Sequence, residues 1–362
     1  MRRFAGQDMT SEQKNRLLEI ASRFSPLRAV VIGDLILDRY VWGRVDRISP
    51  EAPVPIVSVQ SNEDRLGGAA NAANNFAVLG VRTELAGVVG EDSERASLFS
   101  LLRSANILAD GVVTDRNRPT TLKTRVMGQR QQLLRIDRES AAPAITVADK
   151  LIELAKSSLT SSDLILISDY GKGALTKEFF VGLNKQIAAL GSAAPLIALD
   201  PHPTNYANYN GFDIAKPNKK EAEAASGLRI SDLESAAKAA NKLRMDWNCS
   251  SVIVSLSEDG LVVSGSEGAF HLPTIVRDVF DVSGAGDTLT AVVSASLAAG
   301  ATLIEGTTLG IIAASNVVGK LGTATISAAE LCHDIELLFT EKKIPTARPL
   351  GNTFVETLVP KA

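Results

Sequence analysis

The sequence predicts a wound α/β fold with a mostly parallel central sheet and a small inserted β-lid, on three observations. Short apolar runs rich in β-branched residues recur along the chain, helical patterns fall between many of them, and two extended stretches break the alternation. The 362 residues are 45% hydrophobic and 22% charged, enough apolar material for a core, which excludes wholesale disorder.

Thr10 or Ser11 caps a first helix, in which Leu17, Leu18, Ala21 and Phe24 recur at helical spacing until the proline of SPLR ends it. RAVVIGD (28–34) follows as a buried parallel strand, and the same kind of run returns at 83–89, 163–168, 195–199, 212–216 and 251–256. Helical patterns cover 68–79, 92–105, 147–159 and 231–245. Residues 39–60 and 119–138 alternate like strands but do not fit the strand–helix–strand rhythm, so they form a small separate sheet. Three prolines in SPEAPVP mark an edge there rather than a central strand. After Gly286 the chain is mostly helical, and a Pro-containing tail from Lys342 wraps the surface or frays. The expected organisation is a helical extension (1–27), a main domain (28–340) with the lid from 39–60 and 119–138, and a tail (341–362).

A formal charge of -3 excludes a bulk electrostatic grip on nucleic acid or anionic membrane. Cys249 and Cys332 lie too far apart for a CxxC metal site and are too few for a disulfide framework. His202, His271 and His333 have no metal-binding spacing. The N-terminus lacks the apolar stretch of a secretory signal, and no apolar run approaches the ~20 residues of a membrane span. A soluble cytoplasmic protein is the expectation.

Four segments carry chemistry. In DVSGAGDTL (281–289), glycines 284 and 286 let the amides of Gly284, Ala285 and Gly286 point outward at a helix N-terminus, an anion site. Asp287 beside it repels an anion, and makes sense as a base that takes a proton from a hydroxyl while the amides stabilise a transferring phosphoryl group. A glycine turn followed by an ordinary first-turn acid is the plain alternative. LGGAANAANNFAVLG (66–80) opens a helix with Gly67 and Gly68 and small residues, so that a ligand can approach and Asn71 or Asn75 can bond sugar hydroxyls; close helix–sheet packing explains the alanines equally well. GDLILD leaves Asp34 and Asp38 near the carboxyl end of the first strand, where ligands bind in open α/β sheets, although a strand-end Asp is also a common turn residue. KPNKKEA sets Asn218 and Glu221 three apart, which is either a plain capping box or a pair placed on hydrated Mg²⁺.

In this order and spacing, GGAAN, PNxxE and DxSGAGD resemble the ribokinase (PfkB) family of carbohydrate kinases over roughly residues 28–327. DRYVWGRVDRISPEAPVPIV, KTRV with QQLLRID, DYGKGALT and GTATIS are similar to the kinases that phosphorylate D-glycero-β-D-manno-heptose 7-phosphate at O1, on the route to nucleotide-activated heptose. The resemblance implies a ribokinase-like three-layer α/β sandwich with an inserted β-lid, and transfer of the γ-phosphoryl of ATP to a sugar phosphate with Mg²⁺. It leaves open the need for a monovalent cation and whether the product enters lipopolysaccharide or another glycan. It puts Asp287 as the base, Gly284, Ala285 and Gly286 as the anion hole, and Asn218 and Glu221 on Mg²⁺ through water. Asp34, Gly67, Gly68 and Asn71 then contact the sugar, to which the strand-end position adds Asp38, and Ser255, Ser257, Gly260 and Asn316 contact the nucleotide; Ser257 stands where many ribokinases have glycine. A sugar that already bears a phosphate also needs cations, for which Lys172, Arg47 and Arg125 are the candidates.

His202 stands where the heptose kinases usually carry a lysine near the phosphates, and a neutral imidazole only partly substitutes. Bifunctional members of that group add a nucleotidyltransferase part with an HxGH motif, which the three isolated histidines do not form. A kinase of fructose phosphate or of a nucleoside is the alternative within the fold, and a sugar sensor without activity is disfavoured by an intact Asp287. A dinucleotide oxidoreductase would need GxGxxG after the first strand, which ends in GDLILD instead. Apolar lid residues Val54, Ile56 and Val57 lie on strands with open edges, so a homodimer through the lids is expected.

Overall fold

The computed structural model describes residues 11–128, 131–275, 280–320 and 322–350; Thr10 of the expected cap and the end of the tail fall outside these. The strands are β1 (Arg28–Ile48), β2 (Pro55–Gly68), β3 (Arg82–Val89), β4 (Leu108–Thr114), β5 (Thr121–Gly128), β6 (Gln131–Arg138), β7 (Leu164–Ser168), β8 (Leu196–Asp200), β9 (Ile214–Ala215), β10 (Ser251–Ser255), β11 (Leu261–Gly265), β12 (Gly268–Leu272) and β13 (Arg348–Pro349). The helices are α1 (Ser11–Ser22), α2 (Ala69–Val78), α3 (Ser93–Ser104), α4 (Ile145–Ser161), α5 (Lys177–Leu190), α6 (Lys219–Ser226), α7 (Leu233–Asp246), α8 (Ala285–Ala298), α9 (Leu303–Val317) and α10 (Ala328–Thr340).

The main sheet runs β13-β12-β11-β10-β9-β8-β7-β1-β3-β4, parallel from β4 through β10 and antiparallel beyond. Because side chains alternate across a strand, an apolar run feeds two cores at once. Val31 packs with α1, α2, α8, α9 and α10 on one face, while Val30 and Ile32 pack with α4, α5 and α7 on the other. Leu166 and Ile253 divide from Ile165 and Val252 in the same way. The result is three layers, helix–sheet–helix. Among the described residues no helix is long and apolar enough to cross a membrane.

The lid is continuous with the body, which differs from the expected separate sheet. β1 is one strand of 21 residues: Arg28–Asp34 pair with β3, and Ile36–Gly43 pair with β5 while Leu35–Ile48 pair with β2. The lid order is therefore β2-β1-β5-β6. Bulges between Trp42 and Gly43 and between Val45 and Arg47 fall farther along, in the outer half of the β1–β2 hairpin. The prolines of SPEAPVP sit in the hairpin that joins β1 to edge strand β2. The expected run at 212–216 shrinks to two paired residues, and the tail adds a short edge strand through Arg348 and Pro349 against β12.

Cross-strand register sorts the lid into two faces. Tyr40 opposes Arg125, and Arg125 opposes Arg135; one residue along, Val41 opposes Val126 and Val126 opposes Leu134. The first face holds Asp38, Tyr40, Lys123 and Arg125. The second holds Val126, Leu134 and Ile136, of which the last two are more than half exposed. Ile56 and Val57 are half-buried and, being adjacent, point to opposite faces, so the expected Val54–Ile56–Val57 surface does not exist as one patch.

Candidate active site

The middle of β1, where it leaves the main sheet at Asp34, and the carboxyl ends of β7, β8 and β9 meet the first turns of α2 and α8. Gly284 caps α8 in the left-handed region (φ 81), so Gly284, Ala285 and Gly286 bring their amides to the open start of the helix, where the Ala285 N–H donates to the Val282 carbonyl (3.3 Å). Asp287 follows and is buried, with 7% of its surface exposed. The Asn71 amide of α2 donates to its Oδ2 (2.7 Å), and the Tyr170 hydroxyl donates to its Oδ1 (2.6 Å). Burial first, then the nearby charge of Asp200, pushes its carboxyl up to about 6, against the two hydrogen bonds and Lys216.

Lys216 is the fixed cation here. Its Nζ lies 3.1 Å from Asp200 Oδ1 and 3.5 Å from where a side chain on Gly286 would begin. Burial opposes its charge, but Asp200 and Glu221 outweigh that and its pKa is raised. The cation comes from the lysine that opens KPNKKEA, which no sequence pattern singles out, and position 202 supplies none. His202 instead packs against Gly171 and bonds Thr204 (3.0 Å), with its pKa lowered mainly by burial.

Asp38 and Asp34 have parted company. Asp38 pairs with Arg125, and its carboxylate lies where Gly67 has no side chain. Arg125 and Arg65 both stack on the Tyr40 ring, 5.4 and 4.9 Å from its centroid. Asp34, expected on the sugar, has both carboxylate oxygens taken up by backbone: Oδ2 accepts from the N–H of Tyr170 (2.9 Å) and Lys172 (3.0 Å), and Oδ1 from Ala174 (3.0 Å). Its place in the structure is a clamp on the 169–174 loop. Gly68 (φ 55) turns β2 into α2 against the Asp34 carbonyl, and Asn71 reaches Asp287 with its amide while its Oδ1 has no partner among the described residues.

Two lid cations differ from expectation. Lys123, not singled out in the sequence, lies over the Tyr170 ring (5.8 Å) within electrostatic reach of Asp38 and Lys172, and burial lowers its pKa. Arg47 is exposed at the second bulge, far along the hairpin, and is not brought to this site. Lys172 pairs with Glu139 (2.7 Å) at the foot of the lid.

On the other side, Asn218 and Glu221 form a reciprocal capping box on α6 (3.0 and 2.8 Å). Asn218 bridges to Ser255 across β10. Ser257 has φ 56, a conformation that favours glycine. Gly260 (φ 86) lies against the Leu272 carbonyl. Asn316 donates to Asp334 (2.9 Å), and its Oδ1 is unpartnered among the described residues. Among those residues no cluster of three His, Cys, Asp or Glu forms a metal cage. Asp200 and Glu221 around Lys216 do offer hard oxygen donors, the set that Mg²⁺ uses when it keeps its waters and bridges to phosphate.

The family model described as pfkB family carbohydrate kinase matches residues 27–330. The Bifunctional protein HldE of Pelobacter propionicus is 39% identical over 324 residues, covering 89% of this chain and 66% of that protein. The protein of the same name from Desulfatibacillum aliphaticivorans is 41% identical, covering 86% and 63%. The chain thus spans just under two thirds of the length of these curated relatives. Among solved structures, Arabidopsis thaliana ribokinase complexed with ribose and ATP superposes with a TM-score of 0.68 at 20% identity, over 86% of this chain and 99% of that one. Escherichia coli phosphofructokinase-2 gives 0.71 at 21%, over 87% and 99%. At such identities the likeness is one of fold.

Proposed function

The chain belongs to the pfkB family of carbohydrate kinases, and from that premise we propose that it transfers the γ-phosphoryl group of ATP to O1 of D-glycero-β-D-manno-heptose 7-phosphate. In this reading the acceptor hydroxyl gives its proton to Asp287 as its oxygen bonds to the γ-phosphorus. The bond from that phosphorus to the β–γ bridging oxygen breaks, and ADP leaves with the electron pair. The α8 amides and Lys216 stabilise the charge on the transferring group. Asn218 and Glu221, with Asp200 nearby, would hold Mg²⁺ through water, which neutralises phosphate charge when bound. The lid covers the site and excludes water as a competing acceptor. Cytoplasm, where ATP is available, is the compartment we propose.

What supports the phosphorylated sugar is a group of cations at the inner face of the lid, of which Arg125 is paired with Asp38 and Lys172 with Glu139. Lys123 and Arg125 face the site from β5, and Lys172 lies close to Lys123. The heptose itself rests on the lid and loop motifs. The test is a panel of sugar phosphates with ATP, following ADP release and locating the new phosphate by NMR. Heptose 7-phosphate should be the best acceptor, and Lys123→Met should raise its KM about 10- to 100-fold with little change in KM for ATP, the loss of one charge-assisted hydrogen bond. Turnover of fructose phosphates with none of heptose 7-phosphate removes the substrate and leaves the family intact. An unchanged KM in the lysine variant removes the phosphate site.

We also propose a homodimer through the outer lid face, supported by exposed Val59, Leu134 and Ile136 on a sheet with open edges. Sedimentation at micromolar concentration should give a dimer that Ile136→Glu dissociates. A native monomer removes the proposal.

A further inference from the structure

We propose that Tyr170 is the positioning residue for the phosphoryl-transfer base, holding one oxygen of Asp287 from a loop that Asp34 and Asp169 lock in place. The inference rests on Asp287 being that base.

Two donors from different parts of the fold grip the carboxylate. Asn71 holds Oδ2 from α2, and the Tyr170 hydroxyl holds Oδ1 from the loop after β7. Held at both oxygens the carboxylate cannot rotate, and each oxygen keeps one lone pair for another donor. A displacement of about 1 Å at a reacting group costs on the order of a hundredfold in rate, so a device that removes this freedom has kinetic value.

The loop is built to keep the hydroxyl there. Gly171 (φ 63) and Gly173 (φ 83) curl the chain so that the alternate amides 170, 172 and 174 converge on Asp34. From the other side, Asp169 accepts from its own loop at Gly171 (2.8 Å), from Asn205 (2.7 Å) and from Tyr209 (2.8 Å). The two buried carboxylates, both outside the reaction, thereby fix the backbone on either side of Tyr170. Burial and the charge of Asp287 raise the Tyr170 pKa well above its ordinary value, so the phenol keeps its proton and remains the donor.

The groups facing Asp287 set how the pair titrates. Asp200 at the end of β8 raises its pKa, Lys216 after β9 lowers it, and the neutral Asn71 and Tyr170 lower it by donating hydrogen bonds. Tyr170 in turn faces Asp38, and Lys123 lies over its ring. Removing the hydroxyl leaves burial and Asp200 less opposed, so the carboxyl must titrate higher.

Tyr170→Phe keeps the ring, its volume and its place under Lys123. With heptose 7-phosphate and ATP at neutral pH, kcat should fall about 10- to 100-fold while KM for ATP holds, and the acid limb of the rate profile should move to higher pH. Part of the lost rate should therefore return near about pH 8.5. A loss equal at every pH, or an unmoved acid limb, overturns the proposal. Carboxyl ¹³C NMR of the free enzyme gives a second reading that needs no sugar, the Asp287 signal being the one missing from Asp287→Asn. Its midpoint should rise in Tyr170→Phe, and a fixed midpoint overturns the proposal. Failure of the native enzyme to use heptose 7-phosphate would remove the assigned substrate and leave the NMR comparison to decide the role of Tyr170.

Discussion

Asp287→Asn should lower kcat by ~10²–10⁴ and leave ATP binding intact. Phosphoryl transfer asks little covalent chemistry of the protein, so positioning and charge stabilisation carry most of the rate. The acceptor hydroxyl must still lose its proton, and Asp287 is the carboxylate beside the α8 amides. Asparagine keeps the size and the helix start. It also fits the hydrogen bonds, since the Asn71 amide can turn to offer the Oδ1 that now has no partner among the described residues. Because burial holds the Asp287 carboxyl at about 6, the native kcat should fall as pH drops through that value, whereas the residual rate of the variant should lack this limb. The same shift makes a stability statement. A carboxyl whose folded pKa lies above its unfolded value contributes stability below the unfolded pKa, near 3.9, and loses it as pH rises through about 6. The variant should therefore melt higher than the native enzyme at about pH 8, with the gap closing toward pH 4. A near-normal kcat in Asp287→Asn would remove it as the base and return attention to Asp38.

Much of this architecture is legible in the sequence. Strands buried on both faces need apolar residues at successive positions, so 28–34, 83–89, 163–168 and 251–256 stand out as runs. The glycine start of α8 was legible because a tight turn into a helix favours glycine, and Gly284 adopts the left-handed conformation. The continuity of β1 was not legible. Its first half is apolar because it is buried in the main sheet, its second half is mixed because one lid face is exposed, and a change of period reads as a boundary. Lys216 was obscured by a complete capping box two residues later, and Tyr170 and Lys123 by their position in a loop and on a lid strand. Neither periodicity nor composition reports that residues 123, 170 and 287 converge. The alternating glycines of DYGKG were the available signal: they announce a loop curled around an acceptor, although not which acceptor.

Asp34→Asn should destabilise the enzyme by about 3–5 kcal/mol and slow it at the same time. The carboxylate is 2% exposed and accepts three backbone N–H groups, and hydrogen bonds to a charged group are worth about 1.5–3 kcal/mol each. The amide has one acceptor oxygen in place of two, and its NH₂ must face at least one buried N–H, donor against donor. With an unfolding entropy of about 2.1 cal/mol/K per residue, that loss lowers Tm by roughly 4–7 °C in a chain of this length. Hydrogen exchange at the amides of Tyr170, Lys172 and Ala174 should quicken, because those donors lose their acceptor. The kinetic effect follows through Tyr170: a loosened loop no longer holds its hydroxyl on Asp287, so kcat falls while KM for the sugar changes little. An Asp34 that contacts the sugar requires the opposite pattern. An Asn variant with the native Tm and exchange rates but a much higher sugar KM would return Asp34 to the substrate and dissolve the clamp.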